Sequence, residues 1–404
     1  MKLTTFVQNI LFFTFFVFLL SSCDEDFDLT TDYQDQTVIY AFLEHKDPWQ
    51  NNLGIPDTNW VVVNKAFLGE LSVTDMAAVS DSVNYPNYDE IIVTLQRIKT
   101  IDPASGPVDD GEFNSEPIVL EYTTHYKDSG AFATDNNIVF YTTQALMKYQ
   151  NTDLNPRPEE DNSYFYKLSV QKPGQPEVYA TTKMIRGIYE DRPMTTPPDY
   201  RYIEMASKYP NYTFTVEFGS NKDARVYNFR IRTFYYEKKT DGNIYIDYID
   251  YEHPLLVTSN KIQEESQEME VNVAPLAYYS NFDNQLADTT DVVWRIIKTK
   301  STADRPETHA LLFTLGSQET YVYNQITQPS NGIVQEKPTY TNITNGLGLF
   351  TSKWNFQRNQ FKLTNGSIDS LALGVASKNL KFQDNDFTSR QNDIMDHSAV
   401  IVRY

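Results

Sequence analysis

The 404-residue sequence predicts a mainly β protein with two β-rich domains in series. Apolar and polar residues alternate with a period of two along many short segments, which is typical of strands with one buried face. Turn-forming Pro-Gly and Asp-Gly pairs separate some of these segments. Helical periodicity is weak, so we expect few helices; short ones are predicted at residues 143–149 and 200–208.

Residues 1–22 have the composition of a secretory signal peptide. Lys2 precedes an apolar run over residues 10–20, and two small residues, Ser21 and Ser22, follow it. The run is too short to span a bilayer, which needs roughly 20 apolar residues. We therefore expect this segment to be removed during export.

The four residues from Leu20 to Cys23 resemble the lipobox of bacterial lipoproteins, in which an aliphatic and two small residues precede a lipidated cysteine. Cys23 is the single cysteine of the chain. The resemblance implies that Cys23 becomes an acylated N-terminus, and two or more acyl chains anchor a protein stably to a membrane. The alternative is an ordinary signal peptide with an incidental cysteine.

Three acidic residues follow the cysteine directly: Asp24, Glu25 and Asp26. They resemble the surface-export signal of Bacteroidota lipoproteins. That resemblance implies a lipid-anchored protein of the outer membrane that faces the cell exterior. Two alternatives remain open: residues 23–35 are only a solvated acidic tether, or Asp24 signals retention at the inner membrane, as in enterobacteria.

Composition restricts the partners of the mature chain. The whole sequence has a net charge of −20, and removal of Lys2 with the signal peptide leaves 33 basic against 54 acidic side chains. This charge opposes binding to nucleic acid and to anionic headgroups, and it favours cationic partners. The mature chain also exceeds the usual size of a single hydrophobic core, which favours two domains.

The first domain is predicted to be an immunoglobulin-like β-sandwich over residues 36–190. Alternation predicts its closing strands at 164–170 and 178–184, joined by a turn at Pro173 and Gly174. A projecting loop is expected at 102–116. Short apolar runs predict core strands at 38–43, 60–63, 91–95 and 118–120.

A proline-rich linker at residues 191–199 is predicted to precede a second antiparallel β-rich domain over residues 200–404. Its clearest element is a hairpin over 234–246, whose Asp241 and Gly242 suit the positive φ angles of a tight turn. Further strands are predicted at 212–218, 227–231, 292–298, 310–314, 321–323 and 399–402.

Motifs of chemistry are scarce, so we expect no enzyme, no cofactor and no metal site. The five histidines are far apart, and no glycine fingerprint, P-loop or nucleophile elbow occurs. Calcium binding by the acidic stretch from Asp24 to Asp35, or by the one from Asp247 to Asp250, is a weaker alternative to a solvated face. Gly346 and Gly348, within residues 342–350, are predicted to form a turn or bulge where backbones pack closely.

The lipobox, the β-rich body and the segment at 342–350 together resemble domain-of-unknown-function surface lipoproteins of Bacteroidota, whose families have no assigned activity. Three functions remain open. The first is a binding or accessory subunit of an outer-membrane assembly, with an outer-membrane protein or a glycan as partner. The second is a fimbrial subunit, although no Lys or Arg lies between Cys23 and Lys46 for maturation cleavage. The third is a hydrolase of unrecognised family.

Overall fold

The computed structural model describes residues 36–46, 58–66, 83–108, 116–126, 137–146, 164–185, 187–192, 201–206, 211–258, 268–301, 308–327, 340–395 and 399–403. Residues 1–35, with the predicted signal peptide and tether, lie outside this part. Within it, strands predominate over helices and most strand pairs are antiparallel, which confirms the prediction of a mainly β protein.

The first eight strands are β1 (Thr37–Lys46), β2 (Asn59–Lys65), β3 (Ile92–Ile98), β4 (Ile118–Val119), β5 (Glu121–His125), β6 (Asn137–Thr142), β7 (Phe165–Gln171) and β8 (Val178–Lys183). They pair in the orders β1-β2-β6-β5 and β4-β3-β7-β8, which is the arrangement of an immunoglobulin-like sandwich. Buried side chains from both sheets form one core between them.

A buried tyrosine fixes the start of β7 in the manner of immunoglobulin-like domains. The hydroxyl of Tyr166 donates a hydrogen bond to the backbone oxygen of Leu146 at 2.8 Å. Both residues are almost fully buried. This bond resembles the tyrosine corner of such sandwiches, in which a tyrosine on the sixth long strand holds the preceding connection.

The second part of the chain contains β9 (Tyr189–Arg192), β10 (Tyr202–Ile203), β11 (Phe214–Gly219), β12 (Val226–Lys239), β13 (Ile244–Glu252), β14 (Leu256–Val257), β15 (Glu268–Val273), α1 (Pro275–Leu286), β16 (Val292–Ile297), β17 (His309–Gly316), α2 (Gln318–Thr327), β18 (Gly346–Leu363), α3 (Asn365–Leu373), α4 (Asn385–Met395) and β19 (Ile401–Val402). A three-stranded sheet, β15-β11-β9, faces β12 and β17 across a second core that is rich in aromatic residues.

One long sheet connects the two parts, because β1 pairs in parallel with β18 along its whole length. Its strand order is β19-β13-β12-β17-β18-β1-β2-β6-β5. Phe350 of β18 belongs to the first core, whereas Trp354 and Phe356 belong to the second. The predicted boundary at 191–199 stays a prediction, since residues 193–200 lie outside the described part. The two β units nevertheless share a continuous sheet.

The glycine-rich segment allows this junction, as predicted for a place where backbones pack closely. Gly348 has φ +111°, and a Cβ atom there would lie 1.9 Å from the backbone oxygen of Ile39. The side chain of Asn342 forms two hydrogen bonds with the backbone of Phe350, at 2.7 and 2.9 Å. Gly348 thus lets β18 approach β1, and Asn342 fixes the segment before β18 against the strand itself.

Both predicted hairpins are confirmed. Gly242 adopts φ +88° between β12 and β13, and its backbone N–H donates to the oxygen of Lys239 at 3.1 Å. Gly174 adopts φ +70° between β7 and β8. Predicted strands at 292–298 and 310–314 correspond to β16 and β17, and the predicted strand at 399–402 corresponds to β19 at the sheet edge.

Three local predictions are wrong. The predicted strand at 321–323 lies inside α2, where Ser317 accepts hydrogen bonds from the backbone N–H groups of Glu319 and Thr320 and so begins the helix. The predicted helix at 200–208 instead contains β10, which pairs with the end of β18. Residues 143–146 of the helix predicted at 143–149 are not helical, and 147–149 lie outside the described part.

Candidate functional site

The predicted lipidation site, Cys23, and the predicted export signal, Asp24, Glu25 and Asp26, lie outside the described residues, so they stay predictions. Among the described helices, none combines the length and the apolar composition needed to cross a membrane.

The long sheet has an inner face toward the two cores and an outer face. In β1 the inner side chains are fully buried, whereas Tyr40 and Phe42 are more than one-third exposed on the outer face. Apolar residues therefore occupy both faces of β1 and β2, which differs from the usual alternation with one wet face. The inner residues are Ile39, Ala41 and Leu43.

An exposed aromatic row crosses this outer face. Trp60 of β2 is 45% exposed, and its ring centroid lies 5.3 Å from that of Tyr141 on β6. Ala41 of β1 pairs with Val61 of β2 in an antiparallel register, so the next residue, Phe42, lies beside Trp60. Phe42 and Tyr141 therefore flank Trp60 on opposite sides. Tyr40 contacts Tyr323 of α2 edge to face at 6.3 Å. We call these five residues, Tyr40, Phe42, Trp60, Tyr141 and Tyr323, the aromatic surface.

Helix α2 forms a raised wall beside the aromatic surface. Thr320 of α2 packs closely on Gly316: a Cβ atom added to Gly316 would lie 2.9 Å from the methyl group of Thr320. The hydroxyl of Thr351 on β18 lies 2.6 Å from that of Ser317 and is fully buried beneath the helix. Burial, together with the hydrogen bond to Tyr323, raises the pKa of Tyr40 to about 12. Tyr40 is therefore a neutral phenol at physiological pH.

Acidic groups border the aromatic surface. The hydroxyl of Tyr141 donates a hydrogen bond to Oε2 of the exposed Glu121 on β5 at 2.8 Å, and this bond raises the pKa of Tyr141. At the other border Glu44 pairs with Lys353 at 3.0 Å, and Glu319 lies in the first turn of α2. Glu44 is thus paired with Lys353, and Glu319 accepts a hydrogen bond from the hydroxyl of Ser317, whereas Glu121 is an exposed carboxylate held beside Tyr141.

Ion pairs between neighbouring strands cover part of the outer face of the second β unit. Arg232 donates two hydrogen bonds to Asp250, at 2.8 and 2.7 Å, and its guanidinium lies 3.7 Å from the ring centroid of Tyr248. Arg230 reaches the same carboxylate at 3.3 Å. The oxygens of Asp250 are thus engaged by arginines, which argues against the calcium alternative at Asp247 and Asp250. No cluster of three or more potential metal ligands occurs among the described residues.

A buried ion-pair network holds the end of the second core. Glu237 accepts hydrogen bonds from Arg295 at 2.8 Å and from Arg403 at 2.9 Å. Arg295 also donates to three backbone oxygens, those of Leu286, Asp288 and Leu380. Every side of its guanidinium is therefore occupied, so this network stabilises the fold and is not a free binding site.

His309 is buried beside the same core. Its Nδ1 accepts a hydrogen bond from the backbone N–H of Phe234 at 3.0 Å. Burial, with a smaller contribution from the nearby charge of Lys298, lowers the pKa of His309 from its ordinary value of 6.5 to about 3. The imidazole is therefore neutral at physiological pH.

Sequence reasoning assigned residues 60–63 to a sandwich-core strand and did not identify Trp60 as a surface residue. The strand is present, but its first aromatic side chain points outward. One signal was available: consecutive apolar residues in a short strand imply that both faces are apolar, so one face needs a second covering layer.

No protein-family model matches this sequence, and no curated protein matches it either.

Proposed function

We propose that this protein is a lipid-anchored subunit of a cell-envelope assembly that binds a partner protein through the aromatic surface. The lipobox around Cys23 and the acidic residues Asp24, Glu25 and Asp26 support an outer-membrane location that faces the cell exterior. The aromatic surface supports the binding role.

The exposed aromatic row carries this proposal. Trp60 and Tyr141 are adjacent on neighbouring strands, and Phe42 extends the row toward α2. Tryptophan and tyrosine are enriched at the centres of protein interfaces, where they contribute a large share of the binding energy. Contiguous apolar patches of this kind on a folded domain commonly mark interaction sites.

Pairing of the first strand favours a binding subunit over a fimbrial one. Fimbrial maturation by cleavage frees a groove that a strand from another subunit fills. Here β1 already has β2 on one side and β18 on the other. The first sandwich is thus completed by the chain's own C-terminal region, so it needs no donor strand at that edge.

Site-specific photocrosslinking in living cells tests the binding role. Benzoylphenylalanine placed at position Trp60 should yield a discrete crosslinked species on irradiation of intact cells. The matched control places the same probe at position Tyr202, which is 46% exposed on β10. Equal yields at both positions, or no adduct at position 60, would contradict the proposal.

Anchoring is tested separately by Cys23→Ala. Because the acyl chains are the membrane anchor that the sequence predicts, the variant should lose metabolic palmitate label and membrane association. A variant that still incorporates palmitate would reject the lipobox interpretation. Replacement of Asp24, Glu25 and Asp26 by alanine should reduce cleavage by external proteinase while the total amount of lipoprotein stays constant. Unchanged cleavage would leave these residues as a tether.

A further inference from the structure

We infer that the aromatic surface binds a basic segment of the partner protein, with an arginine or lysine side chain placed over Trp60 and Tyr141 and paired with Glu121. This inference rests on the proposed function and specifies the chemistry of the partner. Cations bind favourably to the faces of tryptophan and tyrosine rings within about 6 Å of the ring centroid.

The position of Glu121 makes the aromatic row selective for cations. Its Oε2 accepts the hydroxyl hydrogen of Tyr141 at 2.8 Å, which holds the carboxylate at the end of the row. A carboxylate has two oxygens, and no described residue donates to Oε1 of this exposed side chain. A cation over the rings would therefore meet a fixed negative charge.

The same arrangement of ring, cation and carboxylate recurs inside this chain. Three of the described cations lie over a tyrosine ring and also pair with an acidic side chain, at ring distances of 3.7, 3.5 and 4.9 Å. These are Arg232 over Tyr248 with Asp250, Arg403 over Tyr245 with Glu237, and Lys167 over Tyr179 with Glu177.

At the aromatic surface the rings and the carboxylate are present, whereas the cation is missing among the side chains that the structure describes. No described lysine or arginine lies over Trp60 or Tyr141. Glu121 holds a carboxylate beside these rings, and no described cation pairs with it, whereas Glu44 farther along the sheet is paired with Lys353. With a net charge of −20 for the whole chain, charge complementarity favours a basic partner.

The test uses the purified full-length chain labelled with 5-fluorotryptophan. The fluorine resonance of Trp60 is assigned from its loss in Trp60→Phe, and Trp294 serves as an internal reference. The probe is an acetylated, amidated Gly-Arg-Gly-Arg-Gly peptide, and its control replaces arginine by citrulline, which has the same shape without the charge. We expect a saturable shift of the Trp60 resonance with the arginine peptide and about tenfold weaker binding of the citrulline peptide.

Glu121→Gln should weaken binding of the arginine peptide severalfold, because it removes the negative charge but retains a side-chain oxygen that can accept the hydroxyl of Tyr141. The matched control is Glu268→Gln, an exposed carboxylate on β15, which should change nothing. Equal shifts with both peptides, no shift with either, or an unchanged affinity in Glu121→Gln would overturn the inference. Crosslinking from position 60 distinguishes the two proposals: if it succeeds and Glu121→Gln leaves its yield unchanged, the binding role stands and the basic partner is rejected.

Discussion

Replacement of Gly348 by alanine should destabilise the whole molecule, because this residue lies where β18 passes β1. An alanine Cβ would lie 1.9 Å from the backbone oxygen of Ile39, far inside van der Waals contact. The φ angle of +111° also belongs to a region that L residues rarely adopt, and such strain costs about 1–3 kcal/mol. Separation of the strands would weaken about two further ladder hydrogen bonds, at about 1 kcal/mol each. The free energy of unfolding should therefore fall by about 3–5 kcal/mol.

Gly242→Ala is the matched control for this substitution. Gly242 has φ +88°, but no atom lies within 4 Å of its added Cβ, so only the backbone strain remains. We expect it to lower the free energy of unfolding by about 1–2 kcal/mol. Urea denaturation followed by tryptophan fluorescence measures both variants. Equal losses would refute the reasoning that close contact between β1 and β18 requires glycine.

Three further predictions concern buried polar groups. Because the pKa of His309 is lowered to about 3 in the folded protein, its imidazole takes up a proton below pH 6.5 in the unfolded chain but stays neutral in the folded protein down to about pH 3. Stability therefore falls as the pH is lowered through this interval. Between these two pH values, His309 alone should lower the free energy of unfolding by about 1.4 kcal/mol for each pH unit of acidification. Urea denaturation at several pH values should therefore show a weaker pH dependence of stability in His309→Gln. Identical pH dependence in the two proteins would show that His309 is not a buried neutral imidazole. Arg295→Met removes the more buried cation that pairs with Glu237 and leaves Arg403 as its hydrogen-bonding partner, so it should cost about 3–5 kcal/mol in the same assay. The double variant that adds Glu237→Leu should recover part of this loss, and no recovery would show that the lost backbone contacts of Arg295 dominate. Tyr166→Phe leaves the oxygen of Leu146 without its hydrogen bond and should cost about 1–3 kcal/mol, whereas an unchanged urea midpoint would argue against a tyrosine corner.

Local signals predicted much of the fold correctly. The alternation over residues 164–170 gives β7, and the Asp241–Gly242 pair gives the turn between β12 and β13. These features depend on neighbouring residues, so they can be read directly from the sequence.

Pairing between β1 and β18 could not be predicted in the same way. About 300 residues separate Thr37 from its partner Gly346, and alternation indicates that a strand exists without indicating its neighbour. The two glycines predicted close backbone packing but not the strand that they approach. The helix α1 was also missed, because Tyr278, Tyr279 and Phe282 are residues that favour strands in isolation.

The candidate site depends on which face of the long sheet is covered. Trp60 lies in an apolar run that is equally compatible with a fully buried strand. Its exposure follows from tertiary structure. The second sheet of the sandwich covers the inner face, and α2 packs on the outer face over β18 and the neighbouring β17, away from Trp60. Glu121 and Tyr141 come together because β5 and β6 are paired. Sequence could supply these residue types, but it could not place them together.

Hydroxyl-radical footprinting in native membranes tests the binding role of the aromatic surface most directly. The oxidation rates of Trp60 and Tyr141 are compared between the protein in its own membranes and the purified protein. Tyr126 and Tyr202, which are 65% and 46% exposed, serve as references. We predict severalfold slower oxidation of Trp60 and Tyr141 in membranes, with unchanged rates for both references. Equal rates for Trp60 in the two preparations would contradict a partner bound at this surface.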